Sequence, residues 1–514
     1  MKNIFRKIAA CSLAVLMMTS ALVVTSVAKE DNTAFTDVKQ GAWYHKAVSY
    51  VTDKGLMVGV KDGVFAPNVK FTRAMTVQVL SQLSGDDLSG YTATDFPDVP
   101  DGAWFETAVA WSVDKGIVVG IDGKFKPNDN VTREQLARMI HQFAVKYEIT
   151  NLFPAGDEGT EGFADAGNIG AWAKEDMDWA VDNGVITGMG NNTLSPKSTA
   201  TRAQAAQLFY SVHYMKVEGI LPPDTSDYDA LSVEESTSPR IICWGDSMTQ
   251  GYPAKLRPLA KVPVKNFSAG GDTAEHIAMK QGALPFYATP FTIPASKDPV
   301  KVVMVDENYN VVESIADLGN TGLSPVTIAG VTGKLYHRYE GDGECYYFER
   351  TDANPTEVKV TRLTRIVTSG MREVKTGDIH IIFSGPSNEY NYDEADKLIA
   401  TQQRMIDDIG HDRYIIISLT SLYYMPQIWE FNEDLSEYYG EHFLDFRTYL
   451  LEHGFEDAGI TPTEQDLADQ AKGEIPACFR GSDGKDMEHG NDVYNQLLAE
   501  QVYKKLLELG YLEA

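Results

Sequence analysis

At 514 residues the chain is too long for a single hydrophobic core, so two or more domains are expected. A formal net charge of -28 excludes the clustered Lys and Arg surface that phosphate recognition needs, and with it nucleic-acid binding. The hydrophobic fraction of 43% is that of ordinary globular protein, enough to bury more than one core.

The chain opens with Lys2, Arg6 and Lys7, then an apolar stretch from Ile8 to Val24, then Ser26-Val27-Ala28. A charged start, an apolar middle and a small-residue cleavage site read as an export signal over residues 1–28. Cys11 does not fit a lipid anchor, because the apolar run follows it instead of preceding it. Ser and Thr interrupt that run, which disfavours a retained membrane span, and no later segment is apolar enough for one. Past the signal three cysteines remain: Cys243, Cys345 and Cys478. An odd, sparse set makes no disulfide framework, nothing has metal-ligand spacing, and no metal or cofactor is expected.

Three segments of roughly sixty residues then follow one template, over about 32–90, 93–150 and 160–214. The first runs Phe35-Thr36-Asp37, Trp43, Ala47-Val48, Gly55, Gly59, Phe65, Pro67, Thr72-Arg73. The second repeats it as Phe96-Pro97-Asp98, Trp104, Ala108-Val109, Gly116, Gly120, Phe125, Pro127, Thr132-Arg133. The third has Phe163-Ala164-Asp165, Trp172, Ala180-Val181, Gly184, Gly188, Leu194, Pro196, Thr201-Arg202. Each unit reads as helix, turn, helix. Trp43, Ala47, Val48 and Val51 share one face of the first helix, Gly55 ends it, and Thr72 is an N-cap for the second. A two-helix unit cannot bury its face alone, so the copies must pack on one another.

These repeats, over residues 29–215, resemble S-layer homology modules, which implies an all-α three-repeat assembly that binds secondary cell-wall polysaccharide. By that resemblance Arg73, Arg133 and Arg202 contact an acidic glycan, a role the guanidinium fork suits because it meets a carboxylate bidentately. The competing reading makes each arginine a structural partner of the neighbouring repeat. Where such modules usually continue Thr-Arg-Ala-Glu, the copies here read Thr-Arg-Ala-Met, Thr-Arg-Glu-Gln and Thr-Arg-Ala-Gln. Residues 216–239, poor in large apolar side chains and rich in Asp, Glu, Ser and Pro, read as a linker.

A different texture begins at residue 240. Ile241-Ile242-Cys243-Trp244 is a buried strand that ends in Gly245-Asp246-Ser247-Met248-Thr249. A serine at the C-terminal end of such a strand sits where open α/β sheets hold their sites. Alone, Gly-Asp-Ser is a weak signal, because the same tripeptide often makes a turn. Three further blocks give it weight. Val264 to Asp272 is a second strand with a Gly270-Gly271 turn, and Ile379 to Phe383 is a third, followed by Asn388-Glu389. Asp486-Met487-Glu488-His489 precedes a helix over Val493–Leu509, and an Asp and a His three apart on a turn can meet. Strands over Tyr414–Leu419 and Phe443–Phe446 complete a β/α alternation and a mainly parallel sheet.

The ordered set resembles the SGNH/GDSL hydrolases over residues 240–514, implying an α/β/α, flavodoxin-like domain and a serine esterase. Carried over by motif, Ser247 is the nucleophile, His489 the base and Asp486 its orienting carboxylate. The oxyanion hole is then the N–H of Ser247, the N–H of Gly271 (with Gly270 as the other choice) and the amide of Asn388. Asp483 competes with Asp486 but has the wrong spacing to His489. The block around Asn388 departs from the family pattern, with an extra residue and Glu389 for Asp. Between the second and third blocks, at about 284–376, strands such as Val300–Val305, Glu344–Phe348 and Glu357–Val360 read as a β-rich insertion. Such an insertion is either packing or a substrate wall. The expected activity is removal of acyl groups, acetyl first, from a polysaccharide. A lipid or small-ester hydrolase and a non-catalytic wall-bound S-layer protein are the alternatives.

Overall fold

The computed structural model describes residues 35–513, apart from 93, 233, 317–320, 341–342, 352–355, 389 and 422–426. The export signal at 1–28 and Glu389 lie outside the described residues. Among the described residues no helix is long and apolar enough to cross a membrane.

Each repeat pairs a short helix with a longer one: α1 (His45–Asp53) with α2 (Arg73–Ser84), α3 (Glu106–Asp114) with α4 (Arg133–Lys146), and α5 (Lys174–Asp182) with α6 (Arg202–Glu218). Thr72, Thr132 and Thr201 start the longer helices, each accepting from the backbone N–H three residues on. The Phe-x-Asp motif has an equally local cause. Asp37 accepts from the N–H groups of Phe65 and Ala66, Asp98 from Phe125 and Lys126, and Asp165 from Leu194 and Ser195. Those bonds hold Ala66, Lys126 and Ser195 at positive φ, a conformation that costs of order 1–3 kcal/mol without such compensation.

The three units close on themselves. Phe71 N–H donates to Ala200 O, Ala200 N–H to Val131 O and Val131 N–H to Phe71 O, each at 2.9 Å. The Thr-Arg arginines reinforce this ring. Arg73 Nε and Nη2 donate to Phe125 O and Val119 O at 2.9 and 3.2 Å, and Arg133 does the same to Leu194 O and Thr187 O at 2.8 and 3.2 Å. Arg202 completes the cycle on Phe65 O and Val58 O at 2.8 and 2.6 Å. Repeat one therefore grips two, two grips three and three grips one. The arginines assigned to glycan contact are only 4–6% exposed and are engaged within the assembly. Trp43 differs from expectation too: it precedes α1 and is 63% exposed, as its counterparts Trp104 (62%) and Trp172 (49%) are. Trp43 and Trp104 each lie edge-on against the next aromatic, Tyr44 or Phe105, outside the buried face.

The C-terminal region is mixed α/β. Its central sheet contains β1 (Ile241–Gly245), β2 (Val264–Ser268), β3 (Ile379–Phe383), β4 (Tyr414–Ile417) and β5 (Phe443–Leu444). The spatial order is β5-β4-β3-β1-β2, with every pair parallel. Strands β1 and β3 are buried along their whole length, as parallel strands covered on both faces should be. The expected last helix spans Asp492–Glu508 and packs on helix Tyr252–Ala260, which follows the serine turn.

Among the described residues between β2 and β3 lie three small antiparallel sheets. The longest hairpin pairs Val331–Glu340 with Gly343–Arg350. The single strand expected over Val300–Val305 is split into Val300–Val302 and Met304–Asp306, whose halves belong to different sheets. Residues 216–239 are docked, in contrast to a free linker. Helix α6 continues to Glu218, and Ile220 packs with Val305 and Leu363 of the insertion. Asp224 exchanges backbone hydrogen bonds with Leu363 and Arg365, and Thr376 with Glu234 and Ser236. Side chains add to these bonds: Asp227 accepts from Gly330 N–H at 2.8 Å, and Glu234 pairs with Lys375.

Replacing Arg202 by Met keeps the volume and removes both bonds that close the third repeat on the first. Loss of two charge-assisted hydrogen bonds should lower the stability of the repeat assembly by about 3 kcal/mol, read as an earlier first transition in urea unfolding. An unchanged midpoint would contradict the clasp.

Candidate active site

The site is assembled where β1, β2 and β3 end side by side. Gly245 closes β1 with no room for a side chain, since a Cβ there would collide with Thr249 Oγ1 and Phe383 O. Ser247 follows and begins a tight turn, Ser247–Thr249. The Asp246 carboxylate caps this turn by accepting from Met248 N–H at 2.9 Å. Asp246 is wholly buried, and its Oδ2 has no hydrogen-bond partner among the described residues. Burial, with Glu488 and Asp272 nearby, pushes its carboxyl up to about 7.

His489 Nε2 stands 2.8 Å from Ser247 Oγ, and His489 Nδ1 stands 3.0 Å from Asp486 Oδ2. The other Asp486 oxygen accepts from the N–H groups of Glu488 and His489 at 3.0 and 2.9 Å, so the carboxylate wraps its own turn. Burial acts to raise the Asp486 carboxyl, but those two N–H bonds and the imidazole outweigh it and hold the group below its ordinary value. The turn is held from outside as well. Gly481 N–H donates to His489 O, and Ser421 Oγ donates to Met487 O. Asp486, and not Asp483, is the carboxylate bonded to His489; Asp483 lies in a left-handed stretch with Ser482. The His489 side chain is 40% exposed, which leaves the serine–histidine pair reachable from solvent.

The glycine turn after β2 lies against the serine. A Cβ on Gly270 would stand 3.6 Å from Ser247 Cβ, whereas Gly271 is at φ +83° and faces open space. That combination leaves the Gly271 backbone free of any covering side chain. Asp272, next in the chain, is buried in an ion pair with Lys280 and accepts from Ala316 N–H of the insertion at 3.0 Å. The β-rich insertion therefore touches the wall of the site.

Asn388 ends the Pro386–Asn388 turn after β3. Its Oδ1 accepts from Ala274 N–H at 2.7 Å, and its Nδ2 donates to Glu275 Oε2 at 2.6 Å. Glu275 also accepts from Tyr390 OH at 3.1 Å and Thr401 Oγ1 at 3.5 Å. Burial acts to raise the Glu275 carboxyl, but its hydrogen bonds prevail and it is held below its ordinary value. Sequence reasoning missed Glu275. A carboxylate in the first turn of helix Ala274–Gln281 reads as an ordinary helix start, and only the fold brings it to Asn388, 113 positions away. Among the described residues no cluster of His, Cys, Asp and Glu could hold a metal ion.

The S-layer homology domain model matches residues 34–74, 95–137 and 162–206. Among curated relatives, the amylopullulanase of Thermoanaerobacterium thermosulfurigenes is 30% identical over 184 residues, covering 36% of this chain and 10% of the relative. The surface-layer 125 kDa protein of Lysinibacillus sphaericus is 30% identical over 214 residues, covering 40% and 17%. The S-layer protein sap of Bacillus anthracis is 28% identical over 205 residues, covering 40% and 24%. This chain thus spans a quarter or less of the length of these relatives. It carries three S-layer homology domains ahead of a mixed α/β region with a parallel sheet, and these domains mark a secreted, wall-associated protein of the cell surface.

Proposed function

We propose that the C-terminal region is a serine esterase of the SGNH/GDSL type, held at the cell wall by the three repeats. The observation that carries this reading is the unbroken line from Ser247 Oγ through His489 to Asp486, at 2.8 and 3.0 Å. In a hydrolase that line has one use. His489 Nε2 takes the Ser247 proton as Oγ attacks an ester carbonyl, and Asp486 keeps Nδ1 protonated and the ring in place. The oxyanion is met by the N–H groups of Ser247 and Gly271 and by the Asn388 amide. His489 then returns the proton to the departing alcohol. Water, activated by the same imidazole, releases the acid from acyl-Ser247.

The substrate class follows from location. An esterase held at a wall meets polysaccharide, so acetyl or similar acyl groups on a glycan are the leading substrate. A lipid or small-ester hydrolase is the alternative within enzymes. A wall-bound S-layer protein that uses the same fold as a binding module is the non-catalytic reading, and the departure of the Asn388 block from the family pattern is the feature in its favour. For the anchor, the partner is secondary cell-wall polysaccharide. Arg73, Arg133 and Arg202 each use Nε and Nη2 on the next repeat, and Nη1 makes no hydrogen bond among the described residues.

Two measurements test the two halves of this reading. Release of p-nitrophenol from its acetate ester should fall at least about 1,000-fold in Ser247→Ala and His489→Ala, and Asp486→Asn should retain part of the rate. Rates equal to background in the parent chain would remove the enzyme reading. The full chain should sediment with purified bacterial cell walls and cease to do so after the wall polysaccharide is extracted. Retention on extracted walls would argue against a polysaccharide partner.

A further inference from the structure

We infer that Glu275 is a positioning residue of the acyl-transfer site, orienting the Asn388 amide so that one Nδ2–H remains for the oxyanion. This rests on the esterase reading above and goes beyond it, because Glu275 belongs to none of the motifs that suggested that reading.

A side-chain amide can present either its oxygen or its nitrogen to a given neighbour, and only the nitrogen can stabilise an oxyanion. Both ends of the Asn388 amide are specified here. Ala274 N–H requires an acceptor at 2.7 Å and meets Oδ1; the Glu275 carboxylate requires a donor at 2.6 Å and meets Nδ2. A carboxylate has no proton to offer an amide oxygen, so the flipped rotamer would set Oδ1 against Oε2 and Nδ2 against an N–H. The clamp therefore admits one orientation. It consumes one of the two Nδ2 protons; the second is the one available to an oxyanion, with Tyr390 beside the amide as its other neighbour.

Glu275 is itself held. Tyr390 OH and Thr401 Oγ1 both donate to Oε1, leaving Oε2 for Asn388. Its helix is started by Thr273, which accepts from His276 N–H, and Thr273 lies two residues past Gly271. The clamp thus joins the turn that carries the Gly271 N–H to the turn that carries the Asn388 amide. Strands β2 and β3 both pair with β1 and not with each other, so no ladder hydrogen bond fixes those two turns mutually. The Ala274 N–H and the Glu275 carboxylate together supply that link. Glu275 would act through Asn388 and need not touch the substrate.

The test is a double-mutant cycle on the full chain with p-nitrophenyl acetate. Asn388→Ala should lower kcat about 100-fold, the usual cost of one oxyanion donor. Glu275→Ala should lower kcat about 10- to 100-fold with KM within two-fold of the parent, and should add nothing in the Asn388→Ala background. Glu275→Gln should recover part of the rate, because its Oε1 can still accept from Nδ2. Multiplicative losses in the double variant, or parental kcat in Glu275→Ala, would overturn the proposal. If Glu275→Ala does not fold, Glu275→Met decides, because it keeps the length of the side chain and removes the acceptor. A several-fold kcat deficit at unchanged KM and melting temperature supports the clamp, and parental kcat refutes it. Failure of the parent chain to hydrolyse any ester would instead remove the esterase reading on which the clamp depends.

Discussion

The parallel pairing of β1 with both β2 and β3 is the constraint on which the candidate site depends. Adjacent strands lie about 4.8 Å apart, so the second turn, 24 positions after Ser247 at Gly271, and the third, 117 positions further on at Asn388, reach the same edge as the serine. Gly245 lies beside Ser268 on one side and Phe383 on the other, which sets the serine turn, the Gly270-Gly271 turn and the Asn388 turn in one row. A one-residue slip in either pairing would move a turn by a strand step and break the row. Both faces of β1 and β3 are buried, so such a slip would exchange the side chains packed against the two layers and is costly for that reason. His489 and Asp486 then arrive from the far end of the chain on a turn braced by Gly481 and Ser421.

The N-terminal assembly obeys a different economy. Its repeats are too small to be stable singly, and the ring of backbone bonds through Phe71, Val131 and Ala200 makes each one depend on the other two. The arginine at every second-helix start adds a charge-assisted link that donates round the ring in the opposite direction, from repeat one to two, two to three and three to one. The two halves of the chain are then joined without a free tether. Ile220 sits in the small cluster with Val305 and Leu363, and Arg362 donates to Gly184 O of the third repeat. The β-rich insertion meets both the repeat assembly, through Leu363, and the site, through Ala316 and Asp272. It is the element through which anchor and candidate site are mechanically connected.

Much of this was legible from residue order alone. Helix starts at Thr72, Thr132 and Thr201 follow from local capping chemistry, and a buried apolar strand before Gly-Asp-Ser follows from its unbroken hydrophobic run. The pairing of Asp486 with His489 is also local, a matter of two side chains three apart on one turn. What escaped was non-local. The tryptophans looked like core by spacing, yet they lie ahead of the helices, where a shift of a residue or two decides exposure. Residues 216–239 read as a linker because they are poor in large apolar side chains, yet Ile220, the backbone of Asp224, Glu234 and Ser236, and the carboxylates of Asp227 and Glu234 dock the segment. Glu275 carries no sequence signal at all; its meaning is conferred by a residue on another strand.

The central claim is that Ser247 is an activated nucleophile, and covalent trapping addresses it most directly. Treating the full chain with a fluorophosphonate and locating the adduct by peptide mass spectrometry should give one modification, on Ser247. That modification should be lost in His489→Ala. Labelling elsewhere, or undiminished labelling of Ser247 without His489, would contradict the account.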